Sequence, residues 1–203
     1  MTQTGAQGAP PASFATDTSD IIVTAQKRSE RLQDVPIAVS AFSGETLKEQ
    51  RIESGNQLNQ YVPNFSFNRA NYGETNFQIR GVGFQLATAS GDTGVGVHEN
   101  NVPLGVNRLA DADFYDLERI EVLRGPQGTL YGRNATGGVV NLITAKPTKR
   151  LEGSATMDVG SYGTMRLQGF LNVPIADWLQ VRAAGTLLKR SGFQTNIDNG
   201  RDL

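Results

Sequence analysis

LERIEVLRGPQGTLYGRNATGGVVNLIT, residues 117–144, decides how this chain is interpreted. The stretch joins an alternating charged segment, a Gly-Pro turn, a glycine-rich bend and a β-branched run. Because side chains alternate along a strand, Arg119, Glu121 and Leu123 are predicted to share one strand face. Two interpretations are open: a loop that cradles a phosphate for catalysis, or a folding element in a binding or transport protein.

The glycines of this stretch favour the folding element. The phosphate-loop pattern G-x-x-x-x-G-K-[ST] is absent, and GRNATGG does not follow a strand and open a helix as a dinucleotide fingerprint does. Glycine instead supplies backbone angles that other residues resist, which suits tight turns. The sequence predicts turns at six positions: Gly81, Gly125, Pro126, Gly132, Gly137 and Gly138.

The composition argues against an enzyme and against a metal centre. The chain of 203 residues has no cysteine and one histidine, His98. These counts exclude disulfide scaffolds, zinc–thiolate sites, cysteine nucleophiles and multi-histidine metal sites, and no cofactor is predicted. The net charge of −1 does not favour nucleic acid as a partner. No run of about 18 apolar residues is present, and the first residues lack the pattern of a signal peptide.

Residues 1–30 are predicted to form a disordered tail, because small and polar residues dominate the opening stretch. One short apolar island interrupts the tail, DIIVTA, which comprises Asp20, Ile21, Ile22, Val23, Thr24 and Ala25. In an extended chain, Ile21 and Val23 face one way, and Ile22 and Thr24 face the other. Two roles are open for the island: an edge strand of the following domain, or a peptide that adds to a partner's sheet through backbone hydrogen bonds.

Residues 31–147 are predicted to form a mixed α+β domain. A strand follows Pro36, a helix with Ser43 as its N-cap comes next, and a second short helix ends at Pro63. NFQIRGVG is predicted to be a strand that runs into a turn, and VGVHENNVPL a hairpin. A short helical turn capped by Asp111 is predicted before the last two strands, RIEVLRGP and GVVNLIT.

Residues 148–203 have the pattern of three transmembrane β-strands. Apolar residues alternate with polar ones over LEGSATMDVG, TMRLQGFLNV and WLQVRAAGTLLKR, and SYG and PIAD are predicted to be the turns. Trp178 follows the second turn, where an interfacial aromatic residue belongs. A soluble sandwich also alternates, but here glycine and alanine fill the apolar face. Three strands cannot close a barrel, so the sequence is expected to be a fragment or a truncated product.

These motifs resemble the N-terminal part of a TonB-dependent outer-membrane receptor. The opening stretch is similar to the plug signature of that family, DIIVTA resembles its TonB box, and FQIRGVG resembles its central plug strand. VGVHENNVP departs from the sequence pattern of the family, which usually has an aromatic residue and an Asp-Gly pair at this place. The fold that the resemblance implies is an α+β plug domain with a mixed β-sheet, followed by the first antiparallel strands of an incomplete transmembrane β-barrel.

The resemblance also implies a function and partners. The plug closes the barrel, TonB binds residues 20–25 by strand addition, and a ferric siderophore, cobalamin or glycan passes inward across the outer membrane, whose lipid surrounds the barrel. Two alternatives stay open: a signalling receptor of the same fold, which typically has an extra domain before the box, and an isolated soluble plug-like module.

Two groups of site residues follow from the resemblance. Charged plug residues are predicted to pair weakly with the polar wall of the lumen, at roughly 0–1 kcal/mol for each exposed pair: Arg80, Glu118, Arg119, Glu121 and Arg124. The alternative is that they form a solvated strand face. Outward plug loops are predicted to meet the substrate, with stacking or hydrogen-bonding groups on Tyr72, Gln85 and Arg108.

Overall fold

A computed structural model describes residues 21–69, 75–83, 93–105 and 113–192. Its main domain is built on a five-stranded sheet. The five strands, in chain order, are β3 (Ala38–Ser43), β6 (Val95–Glu99), β7 (Val102–Pro103), β8 (Leu117–Arg124) and β9 (Gly138–Thr144). Their spatial order in the sheet is β3-β8-β9-β6-β7. β6 runs parallel to β9, and the other neighbouring pairs are antiparallel. The predicted α+β domain with a mixed sheet is confirmed.

One face of the sheet carries the larger core. α1 (Gly44–Glu49), a 3-10 helix (Gly55–Gln60) and the hairpin of β4 (Phe65–Arg69) and β5 (Thr75–Ile79) cover it. Their apolar side chains pack on Ile120 and Val122 of β8. Ser43 caps α1 as predicted, since its hydroxyl accepts a hydrogen bond from the Thr46 N–H at 3.2 Å. The second predicted short helix corresponds to the 3-10 helix at Gly55–Gln60.

The opposite face of the sheet is covered by the start of the chain. β1 (Ile22–Val23) pairs antiparallel with β2 (Glu30–Arg31), and a 3-10 helix (Leu32–Asp34) follows. Val23 and Ala25 are buried in a second core with Leu123, Val139 and other residues. Residues 21–30 are predicted to belong to a disordered tail; instead Ile21, Val23 and Ala25 pack on the sheet above β8 and β9, whereas residues 27–29 are exposed.

The turns follow the residue types at each position. The β6–β7 hairpin turns at Asn100 and Asn101, which have φ angles of 50° and 67°, as a type I′ turn requires. Among the predicted turn glycines, four have positive φ: Gly81, Gly125, Gly132 and Gly138. Gly137 instead permits a close approach, because a Cβ there would lie 2.7 Å from the Val82 carbonyl oxygen. Pro126 is exposed between β8 and α2 (Gly128–Tyr131).

The remaining strands form a separate antiparallel sheet of β10 (Glu152–Gly160), β11 (Thr164–Ala176) and β12 (Leu179–Lys189). Their apolar side chains lie together on one face, with Met157 56% and Leu187 72% exposed. Such an exposed apolar sheet face suits lipid. No helix among residues 21–69, 75–83, 93–105 and 113–192 is long and apolar enough to cross a membrane.

Two local predictions are wrong. Residues 174–176 of PIAD are not in a turn: β11 continues to Ala176 through a register shift, and the chain turns at Asp177, the last residue of PIAD, and at Trp178. The helical turn before β8 is also absent from its described part, residues 113–116, whereas Asp111 lies outside the described residues. Residues 113–116 are instead held along β11 by side-chain contacts.

Candidate functional site

The first site is the docking position of residues 21–25, which we call the N-terminal segment. The Thr24 N–H donates to Oε1 of Glu121 at 2.7 Å, and the Thr24 hydroxyl lies 3.1 and 3.2 Å from the two carboxylate oxygens. Val23 is buried, but the Ile22 side chain is 55% exposed. Ile21, which is half-buried, packs with Val23 as predicted for one face. Thr24 differs from the prediction, because it turns its hydroxyl inward to Glu121.

Glu121 is a carboxyl group in the interior of the domain, where it is paired with an arginine. Its side chain is 0% exposed, and its Oε1 also accepts a hydrogen bond from Nε of Arg119 at 2.7 Å. Arg119 is buried too, and it contacts Glu118 through a second nitrogen. A buried carboxylate needs a charged partner and hydrogen-bond donors. The Arg119 guanidinium and Thr24 provide both.

The predicted pairing of Arg119 and Glu121 with the lumen wall therefore needs correction. β8 lies between β3 and β9, and both of its faces are covered, so neither side chain contacts the described strands β10, β11 and β12. The other three predicted residues make no contact with these three strands in the described ranges either. Glu118 contacts Arg119, Arg80 stands in the turn after β5 with a φ of 55°, and Arg124 buries an Nε atom without a hydrogen-bond partner in the described ranges.

Tyr131 of α2 also binds the N-terminal segment. Its hydroxyl donates to the carbonyl oxygens of Ala25 at 3.1 Å and Thr24 at 3.3 Å. Burial, assisted by the negative charge of Glu121, raises the pKa of Tyr131 to about 12, so the hydroxyl stays protonated and remains a donor. The His98 ring stands edge-on to the Tyr131 ring at 5.1 Å, and the Lys27 ammonium lies 5.7 Å from the Tyr131 ring centre.

The position of His98 against the Tyr131 ring predicts that the docking of the N-terminal segment is sensitive to acid. Burial, with a smaller contribution from the charge of Lys27, lowers the pKa of His98 below its ordinary 6.5. A group whose pKa is lowered in the packed state adds stability above its ordinary pKa and loses it as the pH falls. We expect hydrogen exchange of amides 22–25, corrected for intrinsic rates, to accelerate between about pH 7 and about pH 5. His98→Phe should flatten this profile; an unchanged profile would contradict the assignment.

The second site is the contact between the mixed-sheet domain and the sheet of β10, β11 and β12, and its residues in the mixed-sheet domain were not predicted. Residues 113–116 run along the polar face of β11 and β12 and make three contacts there. Asp113 pairs with Arg166 at 3.2 Å, the Tyr115 hydroxyl donates to the Gly169 carbonyl, and Asp116 accepts from Nε of Arg182 at 2.8 Å. Arg166 also pairs with Glu53.

The two arginines of this contact were predictable, but their acidic partners were not. Arg166 and Arg182 occupy polar positions of the alternating strands β11 and β12, and such positions are predicted to face the lumen. Arg182 also lies over the Phe170 ring, with its guanidinium carbon 3.8 Å from the ring centre. The acidic partners had no such pattern, because they lie in irregular segments.

Some predicted residues lie outside the described residues. These are Asp20 and the three substrate-facing candidates, Tyr72, Gln85 and Arg108. In the described ranges, no group of three or more acidic or histidine side chains could hold a metal ion.

Comparisons with known proteins give the family. The family model described as TonB-dependent Receptor Plug Domain matches residues 31–139, more than half of the chain. The chain belongs to the TonB-dependent receptor family. The resemblance of the motifs within residues 31–139 is thereby confirmed, and the receptor is a protein of the bacterial outer membrane. The assignment of residues 20–25 as the TonB box lies outside the matched range and stays a prediction.

Several relatives are similar to this receptor chain. The pesticin receptor of Yersinia pestis is 30% identical over 191 residues, which cover 92% of this chain and 28% of the relative. The ferric enterobactin receptor PirA of Pseudomonas aeruginosa is 43% identical over 94 residues, or 43% of this chain and 13% of the relative. The ferric yersiniabactin uptake receptor FyuA of Yersinia pestis superimposes with a TM-score of 0.68 at 26% identity, over 82% of this chain and 26% of that structure. The chain thus spans less than a third of the relatives' length.

Proposed function

We propose that this protein is the plug-containing part of a receptor that imports a ferric siderophore across the outer membrane in a TonB-dependent way. The observation that carries the proposal is the docking of the N-terminal segment. A short strand with an exposed Ile22 is held on the plug sheet by hydrogen bonds to one buried carboxylate, Glu121. A few hydrogen bonds of this kind give a contact that can be broken and remade.

Two of the similar proteins support the proposed substrate class. PirA is named for ferric enterobactin and FyuA for ferric yersiniabactin, so both are named for a chelated iron. We propose Tyr72, Gln85 and Arg108 as plug residues that meet the chelate, because their side chains can stack on it or hydrogen-bond to it. The apolar face of β10, β11 and β12 contacts lipid in this proposal.

TonB is the proposed partner of the N-terminal segment, and release of the segment from the sheet is the coupling step. While Thr24 donates its N–H to Glu121 and β1 pairs with β2, the backbone groups of this segment are partly occupied. Strand addition by TonB needs those groups. We therefore infer that TonB binds only after the Thr24–Glu121 contact opens, and that pulling on the segment is then transmitted along the chain to β3, which pairs with β8.

Proline at position 22 tests the coupling function. Ile22→Pro removes a backbone donor and fixes φ, while the exposed side chain carries little of the plug core. In the full-length receptor we expect normal binding of the ferric siderophore and loss of growth on it as the sole iron source. Growth assays and binding of labelled siderophore to cells measure the two outcomes separately.

Ile22→Val is the matched control, because it keeps the N–H and the apolar side chain, and it should grow like the unmodified receptor. Normal growth of the Ile22→Pro strain, with the receptor present in the outer membrane, would refute the assignment of residues 20–25 as the TonB-binding segment. Val23→Pro should have the same effect on transport, but it also disturbs the core, since Val23 is buried.

A further inference from the structure

The connector between the plug and the barrel strands is held by a buried side chain of β11. Residues 145–151 join β9 to β10 without regular structure. Asn172 of β11 is 0% exposed and faces this connector. Its Oδ1 accepts from the Thr148 N–H at 3.0 Å, and its Nδ2 lies 2.9 Å from the Thr148 carbonyl oxygen and 3.1 Å from the Thr148 hydroxyl. Nδ2 is also close to the Arg150 carbonyl oxygen.

The contacts of Asn172 require a side chain that both donates and accepts hydrogen bonds, as an amide does. Asn172 accepts from an N–H with one atom and donates to carbonyl oxygens with the other, so it holds the connector as a neighbouring strand would. Aspartate at this position would turn a donor into a charged acceptor facing two carbonyl oxygens. Leucine would leave the Thr148 N–H and both carbonyls without this partner.

A second contact lies beside the first and holds the same end of the plug. Asn172 is directly opposite Arg182 in the β11–β12 register, and Arg182 binds Asp116. The Asp116 carbonyl in turn accepts from the Ala145 N–H at 2.9 Å, where the connector begins. The start of β8 and the end of β9 are therefore fixed to the wall together.

We propose that Asn172 is a positioning residue for transport: it anchors the connector, so that this end of the β8–β9 pair stays on the barrel wall when the N-terminal segment is pulled. This rests on the proposed TonB-dependent function. The two sites differ in exposure. The connector is held by a side chain amide that is buried in the wall, whereas β1 of the N-terminal segment presents an exposed Ile22.

Trypsin and a permeability assay test the anchor in the full-length receptor. The connector has basic residues at Lys149 and Arg150, so its release can be followed by cleavage there in isolated outer membranes. For Asn172→Asp and Asn172→Leu we expect cleavage to be about tenfold faster, the change that corresponds to the loss of one or two net hydrogen bonds. Gln168→Leu, on the same face of β11, is the matched control and should leave cleavage unchanged.

The decisive readout is a leak that depends on TonB. Cells that carry the Asn172 variants should become sensitive to a bulky antibiotic that the outer membrane excludes, but only in a strain with TonB. A leak of equal size without TonB would show that Asn172 only supports folding and would overturn the proposal, as would unchanged cleavage and no leak. If the unmodified receptor showed no TonB-dependent iron uptake, the proposed function itself would fail, whatever the variants did.

A variant of the connector tests the same contact in case the Asn172 variants do not assemble a barrel. Thr148→Pro removes the N–H that Asn172 binds and leaves β11 unchanged. It should reproduce both the faster cleavage and the TonB-dependent leak. A Thr148→Pro receptor that assembles normally and shows neither effect would overturn the proposal even if the Asn172 variants failed to reach the membrane.

Discussion

Arg119→Met is expected to destabilise the plug by about 3–5 kcal/mol, the usual cost of removing one partner of a buried ion pair. The variant keeps most of the side-chain volume but removes the charge that neutralises Glu121, which is 0% exposed. The free energy of opening, measured by native-state hydrogen exchange of β8 and β9 amides in the detergent-solubilised full-length receptor, should fall by that amount.

Two further variants distinguish the effect of leaving a buried charge unpaired from the effect of removing any arginine. Arg31→Met removes an arginine whose partner, Asp34, is 3.4 Å away on an exposed surface, and it should cost only about 0–1 kcal/mol. Glu121→Leu combined with Arg119→Met should recover much of the lost stability, because no unpaired charge remains. Equal losses for Arg31→Met and Arg119→Met would contradict the assignment of a buried ion pair.

Gly138→Ala is expected to be the second large effect. Gly138 begins β9 at a φ of 152°, and a Cβ there would lie 2.3 Å from the Leu123 carbonyl oxygen and 2.6 Å from Cδ1 of Ile79. The backbone oxygen cannot move without breaking the β8–β9 ladder. Overpacking costs about 1–3 kcal/mol, and the strained backbone angle adds about 1–3 kcal/mol. The same exchange measurement should show this loss over β8 and β9.

Gly128→Ala provides the comparison for that prediction. Gly128 begins α2, and a Cβ there would meet no atom within 4 Å. Since alanine is the better helix former by up to about 1 kcal/mol, this variant should be neutral or slightly stabilising. If both alanine variants behaved alike, the close approach at Gly138 would not be what requires glycine.

The secondary structure was largely predictable, because strand and turn signals are local. The alternating pattern of residues 151–189 predicted three strands with one apolar face, and Ser43 predicted the start of α1. The errors also have local causes. PIAD has turn-forming residues, yet the pairing of Val173 and Pro174 with β12 keeps residues 174–176 in the strand. The predicted helical turn before β8 gave way to contacts with β11, which no local pattern specifies.

The sites were predicted less well than the strands. The charged pattern of β8 identified Arg119 and Glu121 as unusual, but it suggested contact with a polar wall. Their actual partner, Thr24, is 97 positions from Glu121. The residues that do contact the wall, such as Asp113 and Asp116, carry no signal beyond being acidic. Asn172 was one polar residue among several in an alternating strand.

The sequence by itself determined the family, the mixed plug sheet and the lipid-facing strands, since each depends on side-chain periodicity or on a contiguous motif. Only the tertiary structure decided which charges are buried and which residues hold the plug. Those contacts join segments that are far apart in the chain, and a side chain's charge does not reveal whether its partner is a wall, a strand or water. Burial is a property of the assembled sheet, because both faces of β8 become inaccessible only when α1, the N-terminal segment and the neighbouring strands pack around it.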